Sequence, residues 1–234
     1  SVQALFDQNP GQVAALIVEP VAANMGVVPP QPGFLQGLRQ LCTQNGALLI
    51  FDEVITGFRL APGGAQQYFG ISADLVTYGK IIGAGMPVGA YGGRRELMQQ
   101  VAPVGKVYQA GTLSGNPVAM AAGLAMLRLL RDDPGVYARI EAGAARLAQA
   151  LRRLPGVTVN QIGSLLSVFF TPGPVRDLAG AKTSDTARYA AWFHHMLDRG
   201  VYLAPAQFEA MFVSAAHTEE DLSRTIAAAE AFRG

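Results

Sequence analysis

"ALLIFDEV", residues 47–54, decides the fold. A continuous apolar run of strand length that stops at two acids reads as a strand buried on both faces. "AALIVEP" (14–20) is a run of the same kind, closed by Glu19 and Pro20. Between them, "GFLQGLRQLCTQNG" (33–46) repeats Leu35, Leu38, Leu41 and Cys42 at helical spacing, with Gly46 as a C-terminal cap. "ADLVTYG" (73–79) is a third short strand. Strand, helix, strand with both strands apolar throughout predicts a mostly parallel sheet covered by helices, an α/β fold. Further on, "GAYGG" (89–93) reads as another strand and "RELMQQV" (95–101) as a short helix. "NPVAMAAGLAMLRLLRDD" (116–133) is a strong helix with Asn116 as N-cap and Pro117 in its first turn.

The texture changes at "RDDPGVYARIEAGAARLAQALRRLPG" (131–156), an amphipathic, arginine-rich helix. Two domains are therefore expected, residues 1–131 and a smaller α+β domain over 132–234. In the second, "VTVNQIGSLLSVFFTPG" (157–173) gives two strands and "TSDTARYAAWFHHMLDRG" (183–200) a helix. "GVYLAPAQFEAMFVSAAHTEEDLSRTIAAAEAFRG" (200–234) reads as strand, loop, strand and a final helix capped by Thr218.

Composition excludes several classes. Half of the 234 residues are hydrophobic and 15% are charged, which is globular rather than disordered. A net charge of +1, without basic blocks, gives no electrostatic case for nucleic acid or an anionic membrane. No apolar run reaches the roughly 18 residues of a membrane span. The single cysteine, Cys42, excludes an internal disulfide and fits a reducing, cytoplasmic compartment. "SVQALFDQNPGQVAALIVEP" (1–20) starts without Met and reads like the middle of a domain, so the chain is expected to be part of a longer protein.

The chemistry-bearing residues follow the strands. Asp52 ends the second strand and Lys80 follows the third, in "DLVTYGKIIGAGMPVGAYGG" (74–93). Only Lys80, Lys106 and Lys182 are lysine, so a lysine in an apolar, glycine-rich run is chosen for its chemistry. Ligands of open parallel sheets bind at the carboxyl ends of strands, where Asp52 and Lys80 would share one crevice. Desolvation there would favour the neutral amine, a nucleophile toward aldehydes. A carboxylate in the same crevice suits the protonated pyridine nitrogen of pyridoxal 5′-phosphate (PLP). Gly111, Thr112 and Ser114, just before a helix N-terminus, suit a phosphate. Singly, an acid at a strand end is a cap and a lysine among glycines reaches for water. The ordered set points to a site.

"EPVAANMGVVPP" (19–30), "FDEVITGFR" (51–59), "TYGKIIGAGMPVGAYGG" (77–93) and "YQAGTLSGNPVAMAAG" (108–123) resemble the class III aminotransferases of PLP fold type I. The resemblance runs from about residue 13 to the end. It implies part of that fold's large-domain sheet plus the smaller C-terminal domain. It implies that Lys80 binds the cofactor covalently and, once released, shuttles protons, that Asp52 pairs with the pyridine nitrogen, and that Val54 packs on the ring. Tyr108, Gly111 and Thr112 would reach the phosphate of a neighbouring subunit's cofactor, making a homodimer necessary. Within the class, Ile55 replaces a common Gln, while Asn24 and the tail around Glu209 resemble the aminomutase branch. That branch implies Asn24 beside the cofactor's phenolic oxygen and Glu209 at the substrate. Its reaction is an amino exchange within one small molecule, (S)-4-amino-5-oxopentanoate to 5-aminolevulinate, through the pyridoxamine form. Ala23, Ala84 and Met211 stand where the family commonly has Gly. The family's N-terminal phosphate loop, stacking aromatic, lid and substrate-carboxylate arginine are not found here, so the chain alone is expected to be inactive.

Two alternatives stay open: an ordinary class III aminotransferase of the ω-amino type, and a non-catalytic fragment of the fold. His194 and His195 are adjacent, do not share a helix face, and do not read as a metal site. His217 reads as part of a helix start, and Arg59 stays unassigned.

Overall fold

The computed structural model describes all 234 residues, in two compact units: residues 1–20 with 32–133, and 21–31 with 134–234. The first unit runs α1 (Val2–Gln8), β1 (Ala15–Val18), α2 (Phe34–Gln44), β2 (Leu48–Asp52), α3 (Gly64–Phe69) and β3 (Leu75–Tyr78). A 3-10 turn (Lys80–Gly83), β4 (Ala90–Gly93), α4 (Arg95–Met98) and α5 (Pro117–Asp132) follow. The strand order is β1-β2-β3-β4; the first three are parallel and β4 is antiparallel. Chain polarity thus brings the carboxyl ends of β2 and β3 side by side, with Asp52 opposite Thr77.

Side chains alternate across this sheet. Val18, Phe51 and Val76 lie in register on the face packed against Leu35, Leu38 and Cys42 of α2. Leu49 and Phe51 are 0% exposed, and each such burial stabilises by about 1.5–3 kcal/mol. Ile17, Ile50 and Leu75 share the other face, where Ile17 stays 63% exposed.

Asp74 ties this unit together at the start of β3. Its carboxylate accepts from Leu49 N at 2.7 Å, Arg39 at 2.7 Å and Arg94 at 2.8 Å. Burial pushes its pKa up, but the Leu49 N–H and the two guanidinium groups outweigh it and hold the carboxyl below its ordinary range.

The second unit contains α6 (Val136–Leu151), β5 (Thr158–Ile162), β6 (Leu165–Phe169), α7 (Leu178–Ala181), α8 (Thr186–Leu197), β7 (Met211–Phe212) and α9 (Glu219–Glu230). Its antiparallel sheet has the order β5-β6-β7. Trp192, Met196, Leu151, Leu166 and Phe170 form its core, and Met211 packs against that core. Thr218 and Asp221 form the reciprocal cap of α9.

Two features differ from the sequence expectation. The strand expected after Gly200 does not form: Val201 N donates to Met196 O, and Ala204 O accepts from the Tyr189 hydroxyl at 2.6 Å. Those backbone groups are satisfied locally, without a sheet partner. The units also divide at Asp133/Pro134, and the early segment 21–31 belongs to the second. Side chains of β5 and β6 take up both backbone groups of its Val27. No helix is long and apolar enough to cross a membrane.

Candidate functional site

At the end of β2 the chain turns sharply, and the Asp52 carboxylate sets that turn. Its Oδ1 accepts from Val54 N at 3.0 Å and from the Thr77 hydroxyl of β3 at 3.2 Å. Both bonds fall on Oδ1, which leaves Oδ2 available to a ligand. Thr77 is the residue in register with Asp52, so the parallel pairing itself orients the carboxylate.

The next residue is a different kind of acid. Glu53 is 0% exposed, and its carboxylate accepts from the Thr56 hydroxyl at 3.0 Å, Ala65 N at 2.5 Å and Gln66 N at 3.2 Å. Burial pushes its pKa up, and the three hydrogen bonds oppose that. Glu53 thereby folds residues 53–66 into a closed loop. Gly64 sits in the left-handed region at φ +62°, and a Cβ there would overlap the Glu53 carboxylate. Sequence reading paired the two acids at the end of the strand. The structure gives them separate tasks, one turned toward the sheet's carboxyl end and one buried as a loop anchor.

Lys80 opens the 3-10 turn directly after β3, beside the end of β2. Its φ is +46°, a left-handed conformation that costs a lysine about 1–2 kcal/mol. Phe58 and Ala84 share this backbone sign, at +57° and +48°. All three non-glycine residues of positive φ therefore lie in the segments that end or follow β2 and β3, and backbone strain of this kind collects at functional sites. Ala84 is one of the positions where the resembled family commonly has Gly. Lys80 is exposed in this chain, not buried as the apolar run suggested.

Close packing fixes the turn beneath Lys80. A Cβ on Gly79 would lie 3.2 Å from Val54 Cγ1, so Val54 rests against the backbone that precedes the lysine. Gly123 of α5 lies against the carbonyl of Ile82, and a Cβ there would overlap that oxygen. Asn116 caps α5 by accepting from Val118 N at 3.1 Å and Ala119 N at 3.2 Å.

A groove of about 940 Å³ runs along this unit. Gly111 and Thr112 line it together with Phe58, Tyr78, Val88 and Met120. The Phe58 and Tyr78 rings stand 5.7 Å apart. Sequence reading missed both, because neither residue type at these positions marks a groove wall. Tyr108 is 84% exposed. Asn24 and Glu209 belong to the second unit, on loops described below. There, Tyr189 is pushed up to about 12 by burial and by the Glu209 carboxylate. His194 is exposed, and His195 Nε2 lies 2.8 Å from Ala228 O.

Lys80 and Asp52 follow the ends of adjoining strands, and neither is among the residues that line the groove with Gly111 and Thr112. An amine, a carboxylate oxygen and a glycine-hydroxyl segment are the groups that a PLP-like ligand, with its aldehyde, ring nitrogen and phosphate, would need.

The sequence pattern described as aminotransferase class-III matches residues 1–228, and the chain belongs to this family. A curated relative, glutamate-1-semialdehyde 2,1-aminomutase of Alkaliphilus oremlandii, is 62% identical over 98% of this chain and 54% of its own length. A β-phenylalanine aminotransferase structure from Variovorax paradoxus superposes with a TM-score of 0.90 at 36% identity, covering 98% of this chain and 54% of that one. A glutamate-1-semialdehyde-aminomutase from Pseudomonas aeruginosa PAO1 in complex with PMP has a TM-score of 0.84 at 28% identity, over 98% and 53%. The chain spans about half the length of the curated relatives it matches. The α/β fold type expected from the sequence is the one these structures have.

Proposed function

We propose that the protein containing this chain is a PLP-dependent aminomutase that converts (S)-4-amino-5-oxopentanoate to 5-aminolevulinate for tetrapyrrole synthesis. The observation that carries the reading is the placement of Lys80 and Asp52 at the carboxyl ends of adjoining parallel strands. The 62% identity to a relative with that name supports the choice of reaction.

When bound, PLP supplies an aldehyde for a lysine amine and a sink for electrons. Lys80 holds the cofactor through its Nζ and, once released, moves protons with the same Nζ, which its exposure leaves free to swing. Asp52 offers Oδ2 to a protonated ring nitrogen while Thr77 and Val54 N hold its Oδ1. Val54 supports the ring. Asn24 orients the cofactor from its phenolic-oxygen side, and Glu209 accepts from the substrate's amino group. Tyr108, Gly111 and Thr112 reach toward a cofactor phosphate held by a second copy, so the working unit is a homodimer. The single buried thiol fits a cytoplasmic enzyme.

The test uses the complete protein. Formation of 5-aminolevulinate without added 2-oxoacid is the expected result, and Lys80→Ala is expected to abolish it. A strict requirement for a 2-oxoacid acceptor would favour the second reading, an ordinary class III aminotransferase. The likeness to the β-phenylalanine aminotransferase is what speaks for that reading.

A further inference from the structure

The loop bearing Asn24 and the loop bearing Glu209 are held by one buried hydroxyl. Ser167, in the central strand β6, is 1% exposed. Its Oγ accepts from Val27 N at 3.0 Å and donates to Glu209 O at 3.3 Å. Asn160 stands directly opposite Ser167 across the β5–β6 pair. Its Nδ2 donates to Val27 O at 2.9 Å. Two side chains therefore satisfy both backbone groups of Val27, which is itself 0% exposed.

The two loops also bond to each other. Gly26 N donates to Phe208 O at 2.7 Å, and Val28 N closes the first loop on Ala22 O at 2.8 Å. Gly26 adopts φ +77°, and its missing Cβ makes room for the Phe169 ring. The second loop has two more anchors. The Tyr189 hydroxyl donates to Ala204 O at 2.6 Å, and Gln207 Nε2 donates to Val168 O at 2.5 Å. Between these buried anchors, Asn24 and Glu209 are both exposed. A site residue on a loop is only as well placed as the groups that hold the loop.

We propose that Ser167 is a positioning residue that couples the Asn24 and Glu209 loops into one preorganised edge, Asn24 toward the cofactor and Glu209 toward the substrate's amino end. This rests on the site roles proposed for Asn24 and Glu209. Ser167 touches neither substrate nor cofactor; it acts through Val27 N and Glu209 O.

The test is Ser167→Ala in the complete protein, with two readouts. In the cofactor-free protein, amide hydrogen exchange is expected to rise in peptides covering both 22–28 and 204–210. In the loaded enzyme, KM for the amino substrate is expected to rise roughly ten-fold with kcat nearly unchanged, the factor that about 1.4 kcal/mol of lost hydrogen bonding gives. Ser167→Cys keeps a similar volume with weaker hydrogen bonding, and is expected to lie between wild type and Ser167→Ala on both scales. It carries the test if the alanine variant does not fold. Exchange that rises in only one loop, or in neither, overturns the coupling; an unchanged KM overturns the positioning role. Glu209→Gln separates this outcome from a failure of the site reading. If Glu209→Gln leaves KM unchanged, the substrate role of Glu209 is wrong, whatever Ser167 does to exchange.

Discussion

Replacing Gly123 by alanine sets two physical effects against each other. Gly123 lies inside α5, a 16-residue helix, where alanine is normally better than glycine by about 0.8–1 kcal/mol. Helix propensity alone therefore predicts stabilisation. The structure predicts the reverse, because the new Cβ would overlap the Ile82 carbonyl oxygen in the turn that begins at Lys80. That obstacle is backbone, so it cannot rotate away as a flexible side chain could. Overpacking of this kind costs about 1–3 kcal/mol. Subtracting the propensity gain leaves Gly123→Ala destabilising by up to about 2 kcal/mol. Urea unfolding of the complete protein measures this as a lower midpoint at an unchanged slope. A second consequence is local: amide exchange should rise in a peptide covering residues 80–84. A midpoint that rises by the propensity term, with exchange at 80–84 unchanged, would refute the close α5 contact as the support of Lys80.

Acid stability should depend on Asp74. Its folded pKa is depressed, so its stabilisation is complete above the ordinary carboxyl range and is lost as pH falls through the folded pKa. Asp74→Asn should cost about 1–3 kcal/mol at pH 7 and flatten the acid limb of a stability-pH profile. The lower part of that range is favoured because Arg94 is 51% exposed and its share is screened. An acid limb as steep as that of the wild type would contradict this. Gly26→Ala should destabilise by about 2–4 kcal/mol, combining a left-handed backbone penalty with overlap on Phe169. A thermal or urea midpoint within error of the wild type would show that the 22–28 loop does not hold the described conformation.

The apolar runs of β1, β2 and β3 were legible as strands from their length and unbroken apolar character, but not their burial: only one face is packed, and Ile17 on the other stays 63% exposed. Asn116, Pro117 and Thr218 were legible because caps place a particular side chain at a particular step of the helix. That Asp52 and Lys80 follow the ends of neighbouring strands was legible too, since parallel strands put their carboxyl ends on one side. The segment 21–31 was not legible in the same way. Its partners, Asn160 and Ser167, lie more than a hundred residues away, and neither residue type announces what it will bond. The strand expected after Gly200 failed for a related reason: Val201, Tyr202 and Leu203 have strand-like side chains, but their backbone finds local partners. Phe58, which lines the groove, was missed because neither that position nor its positive φ, which phenylalanine rarely adopts, is announced by its residue type.

The central claim is that Lys80 is the residue that holds the cofactor. The most direct measurement is to incubate the complete protein with PLP, reduce with borohydride, and map the adduct by peptide mass. The account predicts a single adduct on the peptide containing Lys80, lost in Lys80→Ala. An adduct on Lys106 or Lys182 instead, or no adduct in a folded protein, would contradict it.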